Sequence, residues 1–486
     1  MSYIKGDCRN QTTLFPESLD EFVDQGHPVR FFDAFIDSLD LVELEFIRSI
    51  PNELGRPSYD PADLLKIYLY GYFYKIRTSR DLARETHRNL ELIWLIKRLK
   101  PDFRTLSDFK KENRKSIQNV YRKFTLFCHK IDLFGGKLVA IDGSKFKGVN
   151  SMSRNYTQSR IKMLLERIDH EIQGYMVELD EADQNDVEAD SILIEDSESK
   201  LNQFKELIKE KQKKTLKTLE RAQKRKEDLV ALKEDLKSKQ ETQVSLTDPD
   251  ARKMKMSNGS LVGYNVQTAV DSKHKLIVAL DVTQAATDQN ELASMCKKVR
   301  EVIDTEELKV VADKGYFKGE EIAKCENLAE LYVPQQNFAN IKTGLYPKSK
   351  FIYDKQENMY RCPGGQKMVQ RAKYQKTGLK VYATAKCGTC TLKPKCTLTN
   401  RTIQRSRYAD SVDRVKERVE KNPDMMKRRR EIVEHPFGTI KSSFGFHSFL
   451  TKGLESVRTE MSLTALVYNL KRAIKVRGMK ALMESI

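Results

Sequence analysis

Three carboxylates in this sequence stand where they could hold divalent metal ions. Asp142 ends the apolar run of LVAIDGSK, Asp313 ends that of VVADKGYF, and Glu434 lies in the basic stretch REIVEHPFGTIK. Two strands can deliver carboxylates to one edge of a sheet while a helix supplies a third. A pair of metal ions held in this way activates an attacking oxygen and stabilises a leaving one, which is phosphodiester chemistry. A lone aspartate at a strand end is weak evidence, because strand termini collect polar residues for solvation. The pair says more, since both acids follow β-branched runs and both precede a glycine-containing turn (Gly143, Gly315). Arg430, Glu434 and Lys441 are four and seven residues apart, so a continuous helix places them near one face. There Glu434 would hold the ion while Arg430 and Lys441 contact phosphates. Pro436 bends such a helix or marks its start, and a basic surface helix with a charge-balancing glutamate is the competing reading.

The elements that position these residues follow from hydrophobic periodicity. Residues 1–130 read as helical. The spacing in DPADLLKIYLYGYFYKI (60–76) predicts a helix capped by Asp60 with Pro61 in its first turn. Further helices are predicted at 78–89, 90–99 and 105–124. The last carries Lys110, Lys111, Arg114 and Lys115, a basic face that suits a helix-turn-helix-like DNA-binding module; a bundle that merely packs on the rest explains any single helix nearly as well. Strands are predicted at 137–141, 263–271, 275–283, 309–313 and 331–334, with a helix over 288–303. Strand, hairpin, helix, strand, helix, strand is the order of a ribonuclease-H-like mixed sheet, in which the first and fourth strands lie side by side.

Between the first strand and the hairpin, 155–245 reads as an antiparallel helical hairpin. Its second helix carries Leu201, Phe204, Ile208, Ala222, Leu229, Leu232 and Leu236 on an interrupted heptad seam. An acidic, mobile segment from Glu181 to Glu198 is expected to join the two helices.

At 486 residues the chain exceeds one ordinary core. Its formal charge of +18 favours a polyanionic partner over none. No stretch approaches the roughly 18 apolar residues of a membrane span, and the N-terminus lacks the apolar core of a secretory signal. A cytoplasmic protein with no membrane partner is therefore expected, its eight cysteines being thiols or metal ligands. Cys362, Cys387, Cys390 and Cys396 cluster around one C-x2-C pair and are candidate ligands of a structural Zn²⁺. A reduced thiol cluster without metal is the alternative. Cys8, Cys128, Cys296 and Cys325 read as dispersed thiols, Trp94 as core and His435 as structural. Lys427, Arg428, Arg429 and Arg430 form a cationic run suited to tracking phosphates.

Over nearly its whole length the chain resembles the DDE transposases of bacterial insertion sequences, in particular the insertion sequence 1182 type. The resemblance rests on LFPESLDEFVDQGHPVR (14–30), YDPADLLKIYLYGYFYKIRTSRDLARE (59–85), TDPDARKM (247–254), GYNVQTAVD (263–271), ATDQNEL (286–292), ADKGY (312–316) and VEHPFGTIK (433–441). Arg430, Glu434 and Lys441 match the last three places of the Tyr-x2-Arg-x3-Glu-x6-Lys signature of related transposases, while Lys427 occupies its tyrosine place. The resemblance implies a catalytic core in which Asp142, Asp313 and Glu434 bind two Mg²⁺ or Mn²⁺ ions. It implies cleavage at transposon ends, then attack of the freed 3′-hydroxyl on target DNA, with double-stranded DNA as partner and a dimer in the DNA complex. A catalytically inactive DNA-binding derivative, acting as a repressor or architectural protein, is the second reading. The intact set of three acids favours the active enzyme.

The expected architecture is thus an α/β catalytic core with a ribonuclease-H-like mixed sheet, an N-terminal all-α domain and a long α-helical hairpin insertion. Its parts are a DNA-binding domain (1–130), the first part of the core (131–154), the helical insertion (155–245), the core continued (246–334), a cysteine-containing insertion (335–410), and a helical C-terminal part with Glu434 (411–486).

Overall fold

The computed structural model of the protein describes residues 18–51, 57–191, 198–256, 259–335 and 344–486. The chain divides into two compact units, Met1–Phe146 with Asn265–Ile486, and Lys147–Tyr264.

In the first unit the N-terminal region is helical: α1 (Pro28–Asp37), α2 (Pro61–Phe73), α3 (Ser79–Arg88), α4 (Leu90–Leu95), α5 (Phe103–Glu112) and α6 (Arg114–Lys130). Local chemistry sets the starts. The Asp60 carboxylate accepts from the Ala62 amide at 2.8 Å with Pro61 in the first turn, and the Thr78 hydroxyl accepts from the Asp81 amide at 3.1 Å. The single helix predicted over 105–124 is two helices. Buried Asn113 breaks it, donating from Nδ2 to the Phe109 carbonyl at 3.0 Å and accepting at Oδ1 from the Ile47 amide at 2.7 Å. A side chain that competes for main-chain partners in this way ends a helix.

A mixed sheet follows. It contains β1 (Leu138–Lys147), the second half of β5 (Gly259–Asp271), β6 (Ile277–Thr283), β7 (Lys309–Ala312) and β8 (Glu330–Tyr332), in the order β6–β5–β1–β7–β8. β5 and β6 are antiparallel, whereas β1, β7 and β8 run parallel. Val139, Ala140, Ile141, Val310, Val311 and Ala312 are fully buried, as expected of central parallel strands covered on both faces. α9 (Leu292–Arg300) and α10 (Gly319–Lys324) link the later strands. A second, five-stranded antiparallel sheet follows in the order β13–β12–β11–β10–β9. It comprises β9 (Ile352–Asp354), β10 (Met359–Arg361), β11 (Lys367–Tyr374), β12 (Leu379–Ala383) and β13 (Thr402–Arg405), with the short α11 (Lys393–Cys396) before its last strand. The chain ends in α12 (Ala409–Lys421), α13 (Asp424–Gly438) with a π-turn over Thr439–Ser443, α14 (Leu454–Arg477) and α15 (Met479–Met483).

α14 is buried on nearly every face and packs against α6 and β6. Its Asn469, with no exposed surface, accepts from the Ile277 amide at 2.8 Å and donates to the Ile277 carbonyl at 2.8 Å. The amide thereby mimics one more strand along the edge of β6.

In the second unit β2 (Asn155–Thr157) pairs with β3 (Gln243–Ser245), and between them run α7 (Gln158–Ser191) and α8 (Glu198–Ser238). Ile161 and Ile168 of α7 pack with Leu229 and Leu236 of α8, and Lys226 pairs with Asp169 at 2.7 Å. Of the predicted seam, Ala222, Leu229 and Leu236 are buried; Leu201, Phe204 and Ile208 lie on α8, and Cys8 lies outside the described residues. The acidic stretch expected to be mobile is helical as far as Ser191, and 192–197 lie outside the described residues. β4 (Arg252–Met256) pairs antiparallel with the first half of β5.

Asn469→Ala leaves the buried Ile277 amide without its Asn469 partner, while the Ile277 carbonyl keeps only the Tyr121 hydroxyl at 3.2 Å. It is expected to lower stability by about 2–4 kcal/mol in urea unfolding; an unchanged midpoint would contradict the edge-capping role.

Candidate active site

The β1–β7 register builds the site. Ile141 lies opposite Ala312 in the last pair of the parallel β1–β7 ladder, so the next residues, Asp142 and Asp313, emerge side by side where that pairing ends; β7 stops there, whereas β1, expected to end at 141, continues to Lys147, so Asp142 lies within a strand. Asp313 then turns the chain, its Oδ1 accepting from the Gly315 amide at 2.7 Å. Asp142 Oδ1 accepts from the Arg429 guanidinium at 2.6 Å. Burial raises the Asp142 pKa to about 6; Arg429 opposes the shift, and the charges of Asp313 and Asp288 add to it.

Asp288 belongs to this cluster, a residue that sequence reasoning left without a role. Its Oδ1 accepts from Asn265 Nδ2 at 2.7 Å and from Gln267 Nε2 at 2.6 Å. The buried Tyr316 hydroxyl donates to Gln267 Oε1, and burial holds that phenol protonated, well above its usual range. This bond fixes the Gln267 amide with its nitrogen toward Asp288. A Cβ on Gly143 would lie 2.5 Å from both Asp288 Oδ1 and Gln267 Nε2, so glycine there is a condition of the cluster. The signal was present in NVQTAVD, where Asn265 and Gln267 are buried polar residues two apart in an otherwise apolar strand, and buried polar groups require partners.

α13 departs from the predicted common face of Arg430, Glu434 and Lys441. Met425, Arg429, Ile432, Val433 and Pro436 turn inward, and the face bearing Lys427, Arg428, Arg430 and Glu434 is exposed. Arg429, rather than Arg430, therefore reaches the acids. No hydrogen bond or ion pair joins Glu434 to Asp142 or Asp313 among the described residues. Lys441 lies within the π-turn, which shifts the helical phase. Its Nζ donates to Ser144 Oγ at 2.7 Å and lies 4.6 Å from the centre of the Phe146 ring, just past Asp142 on β1. His435 is structural, its Nδ1 sharing a hydrogen bond with the Tyr468 hydroxyl at 2.9 Å. Trp94 is half-buried rather than core, because its indole N–H donates to Asp20 at 3.0 Å.

The N-terminal cations divide. Lys110 is tucked against Tyr68 and Tyr72, its Nζ 3.3 Å from the Tyr72 hydroxyl, and burial lowers its pKa. Lys111 and Lys115 are exposed and Arg114 is half-buried. Lys110, Lys111 and Arg114 line a cleft of about 530 Å³ with Arg77 and Lys452.

The oxygen donors of Asp142, Asp313 and Asp288 suit a hard divalent cation. Among the described residues, no three His, Cys, Asp or Glu side chains converge closely enough to hold a metal ion. Among them, too, no helix is long and apolar enough to cross a membrane.

Residues 17–112 match the family model described as "Transposase domain (DUF772)", and residues 361–474 match the one described as "Transposase DDE domain". The chain thus carries two transposase domains. The second contains Glu434 and Lys441; Asp142 and Asp313 lie outside both. No curated protein matches. Among solved structures, the cryo-EM structure of the piggyBac transposase synaptic complex with hairpin DNA aligns over 94% of this chain and 75% of that one. Identity is 8% and the TM-score 0.28, too low to establish a shared fold.

A carboxyl with a pKa near 6 in the fold and 3.8 as its ordinary value binds its proton more tightly when folded. Its deprotonation therefore costs stability as pH rises from about 4 to 6. Asp142→Asn abolishes that cost, although it also leaves Arg429 unpaired at every pH. In metal-free buffer the variant is expected to gain up to about 3 kcal/mol on wild type between pH 4 and pH 7. Parallel stability profiles across that range would contradict the burial of Asp142 beside the other acids.

Proposed function

We propose, for a chain that carries two transposase domains, that it binds the ends of a bacterial mobile element of the insertion sequence 1182 type and moves that element by a DDE mechanism. Strand cleavage at the ends is followed by strand transfer into target DNA. The observation that carries this reading is the β1–β7 register, which sets Asp142 beside Asp313 at the carboxyl edge of a mixed sheet. The strand order β6–β5–β1–β7–β8, with an antiparallel β5–β6 hairpin and parallel β1, β7 and β8, supports a ribonuclease-H-like core.

Asp142 and Asp313 would hold Mg²⁺ or Mn²⁺, with Glu434 as the third carboxylate. Bound there, the ions would polarise the phosphodiester and activate the attacking water or 3′-hydroxyl. Glu434 is exposed five residues past Arg429, about 1.4 helical turns, and so off the face that contacts Asp142; binding of DNA and cation is the event that would bring it in. Arg429 holds Asp142 in place before the cation arrives. Lys441 and the exposed cations Lys427, Arg428 and Arg430 are suited to the phosphates on either side of the cut. Asp288, anchored by Asn265 and Gln267, keeps the field of the crevice negative.

We assign end recognition to the helical region up to residue 130, where Lys110, Lys111 and Arg114 line the cleft described above. The catalytic core comprises 131–154, 246–334 and 411–486, interrupted by the helical insertion (155–245) and the cysteine-containing part (335–410). Two copies would pair the two ends on the bacterial nucleoid.

Purified protein incubated with the DNA flanking its own gene and Mg²⁺ or Mn²⁺ is expected to nick at the element's ends. Asp142→Asn, Asp313→Asn and Glu434→Gln should each lower cleavage at least 100-fold, to the order expected when one metal-dependent step is lost, with DNA affinity nearly unchanged. Tight binding without cleavage under either metal would favour the inactive derivative instead.

A further inference from the structure

The five-stranded sheet β9–β13 is not used by the reading above, yet it holds most of the molecule's excess charge. Residues 346–407 contain fifteen lysines and arginines against two acids, Asp354 and Glu357, a net +13 of the chain's +18. Those acids are engaged within the sheet: Glu357 pairs with Lys367 at 2.9 Å and Asp354 with Arg361 at 4.0 Å. Arg371, Lys373 and Lys376 are exposed, Lys380 is half-buried, and none of the four has an ion-pair partner among the described residues. Lys373 and Lys380 are directly opposed across β11 and β12. Like charges so placed destabilise a strand pair, a cost that a polyanion laid across them removes. Tyr374, 58% exposed, stands at the tip of the same hairpin.

A sheet with this much self-repulsion has little core to oppose it. Its buried cluster is Phe351, Tyr360, Met368, Tyr382 and Ile403, with Tyr346, Tyr353, Cys362 and Cys396 packed against it. Modules so poor in core are commonly stapled by a metal or by disulfides. Cys362, Cys387, Cys390 and Cys396 are all free thiols, and they line one cavity of about 20 Å³ at the end of this sheet. Cys362 sits in a tight turn, where its carbonyl accepts from the Gly365 amide at 2.8 Å; Gly365 takes a φ of +75°. A Cβ on Gly364 would stand 3.4 Å from Cys390 Sγ and 3.7 Å from Cys362 Sγ, so the main chain closes on the thiols there. Cys387 Sγ accepts from the Arg401 amide at 3.4 Å, the kind of main-chain bond that supports a thiolate. The thiols are not yet at ligand distance from one point. Holding Zn²⁺ would require the four sulfurs to close to the roughly 2.3 Å of a Zn–S bond.

We propose that β9–β13 is a zinc-stapled DNA clamp: Cys362, Cys387, Cys390 and Cys396 hold one Zn²⁺, and Arg371, Lys373, Lys376 and Lys380 grip the phosphates of duplex DNA without regard to sequence. The choice of DNA as the polyanion rests on the transposase reading; the zinc staple does not. Binding of the ion releases thiol protons to solvent and changes no oxidation state.

Two measurements on the full-length protein test the clamp. Zinc is expected at one per chain after purification without added metal. Chelation followed by Co²⁺ titration should produce thiolate-to-cobalt charge-transfer bands that saturate at one equivalent. Absence of those bands from the folded wild-type chain overturns the staple, with no cysteine variant needed. For the clamp, log affinity for unrelated duplexes is followed against log salt. Replacing Arg371, Lys373, Lys376 and Lys380 together by Gln should reduce the slope by about 3–4, near 0.9 per lost phosphate contact. An unchanged slope overturns the DNA face, also when the protein binds anionic vesicles instead. A reduced slope in a protein that never cleaves its own ends would uphold the clamp and sink the catalytic reading; intact cleavage with an unchanged slope would do the reverse.

Discussion

Everything in the candidate site follows from one register. β1 and β7 are parallel neighbours with Ile141 opposite Ala312, so Asp142 and Asp313 must lie side by side where their pairing ends. Asp288 joins them because two buried amides on β5 hold its carboxylate in place. Three acids in one half-buried crevice repel one another, and the Arg429 guanidinium pairs with one of them, Asp142. Burial, with the charges of Asp313 and Asp288 adding to it, still outweighs Arg429, and the Asp142 pKa is raised to about 6. A crevice built to keep its negative charge only partly neutralised is one that favours a divalent cation, and the rest of the molecule is arranged around it.

The surrounding structure holds that edge rigid. α14 seals the border of the sheet through Asn469 and packs against α6, so the N-terminal helices rest on the same framework as the strands. Glu460 of α14, fully buried, is satisfied by Arg77 and by the amides of Leu450 and Thr451, a buried charge that tolerates loss of no partner. α13 brings Arg429 to the acids, and the π-turn after it redirects Lys441 toward β1. Rigid strands thus carry Asp142 and Asp313, whereas Glu434 sits on an exposed helical face.

Much of this was legible in the sequence. β-branched runs ending in an acid located β1 and β7, and the caps at Asp60 and Thr78 fixed two helix starts, because both signals are local. The hairpin α7–α8 was visible in its apolar spacing. Three features were not legible, each for a tertiary reason. The break at Asn113 depends on a partner at Ile47, far away in sequence. The inward turn of Arg429 in place of Arg430 depends on which side of α13 meets the sheet, and four consecutive cations conceal that choice. Asp288 lay inside a recognised motif, but its place beside the other acids is created by Asn265 and Gln267 on a different strand. The four cysteines were grouped from spacing alone; that they line one cavity beside the most basic part of the chain needed the fold.

The most direct test of the central claim reads where a divalent ion sits without requiring turnover. Fe²⁺ would be substituted for Mg²⁺ in the full-length protein, and hydroxyl radicals generated at the bound iron would cut the polypeptide nearby. Cuts clustered near residues 142, 288 and 313, suppressed by excess Mg²⁺ and lost in Asp313→Asn, are the predicted result. Cuts elsewhere, or none above background while the protein stays folded, would contradict a cation site at the β1–β7 edge.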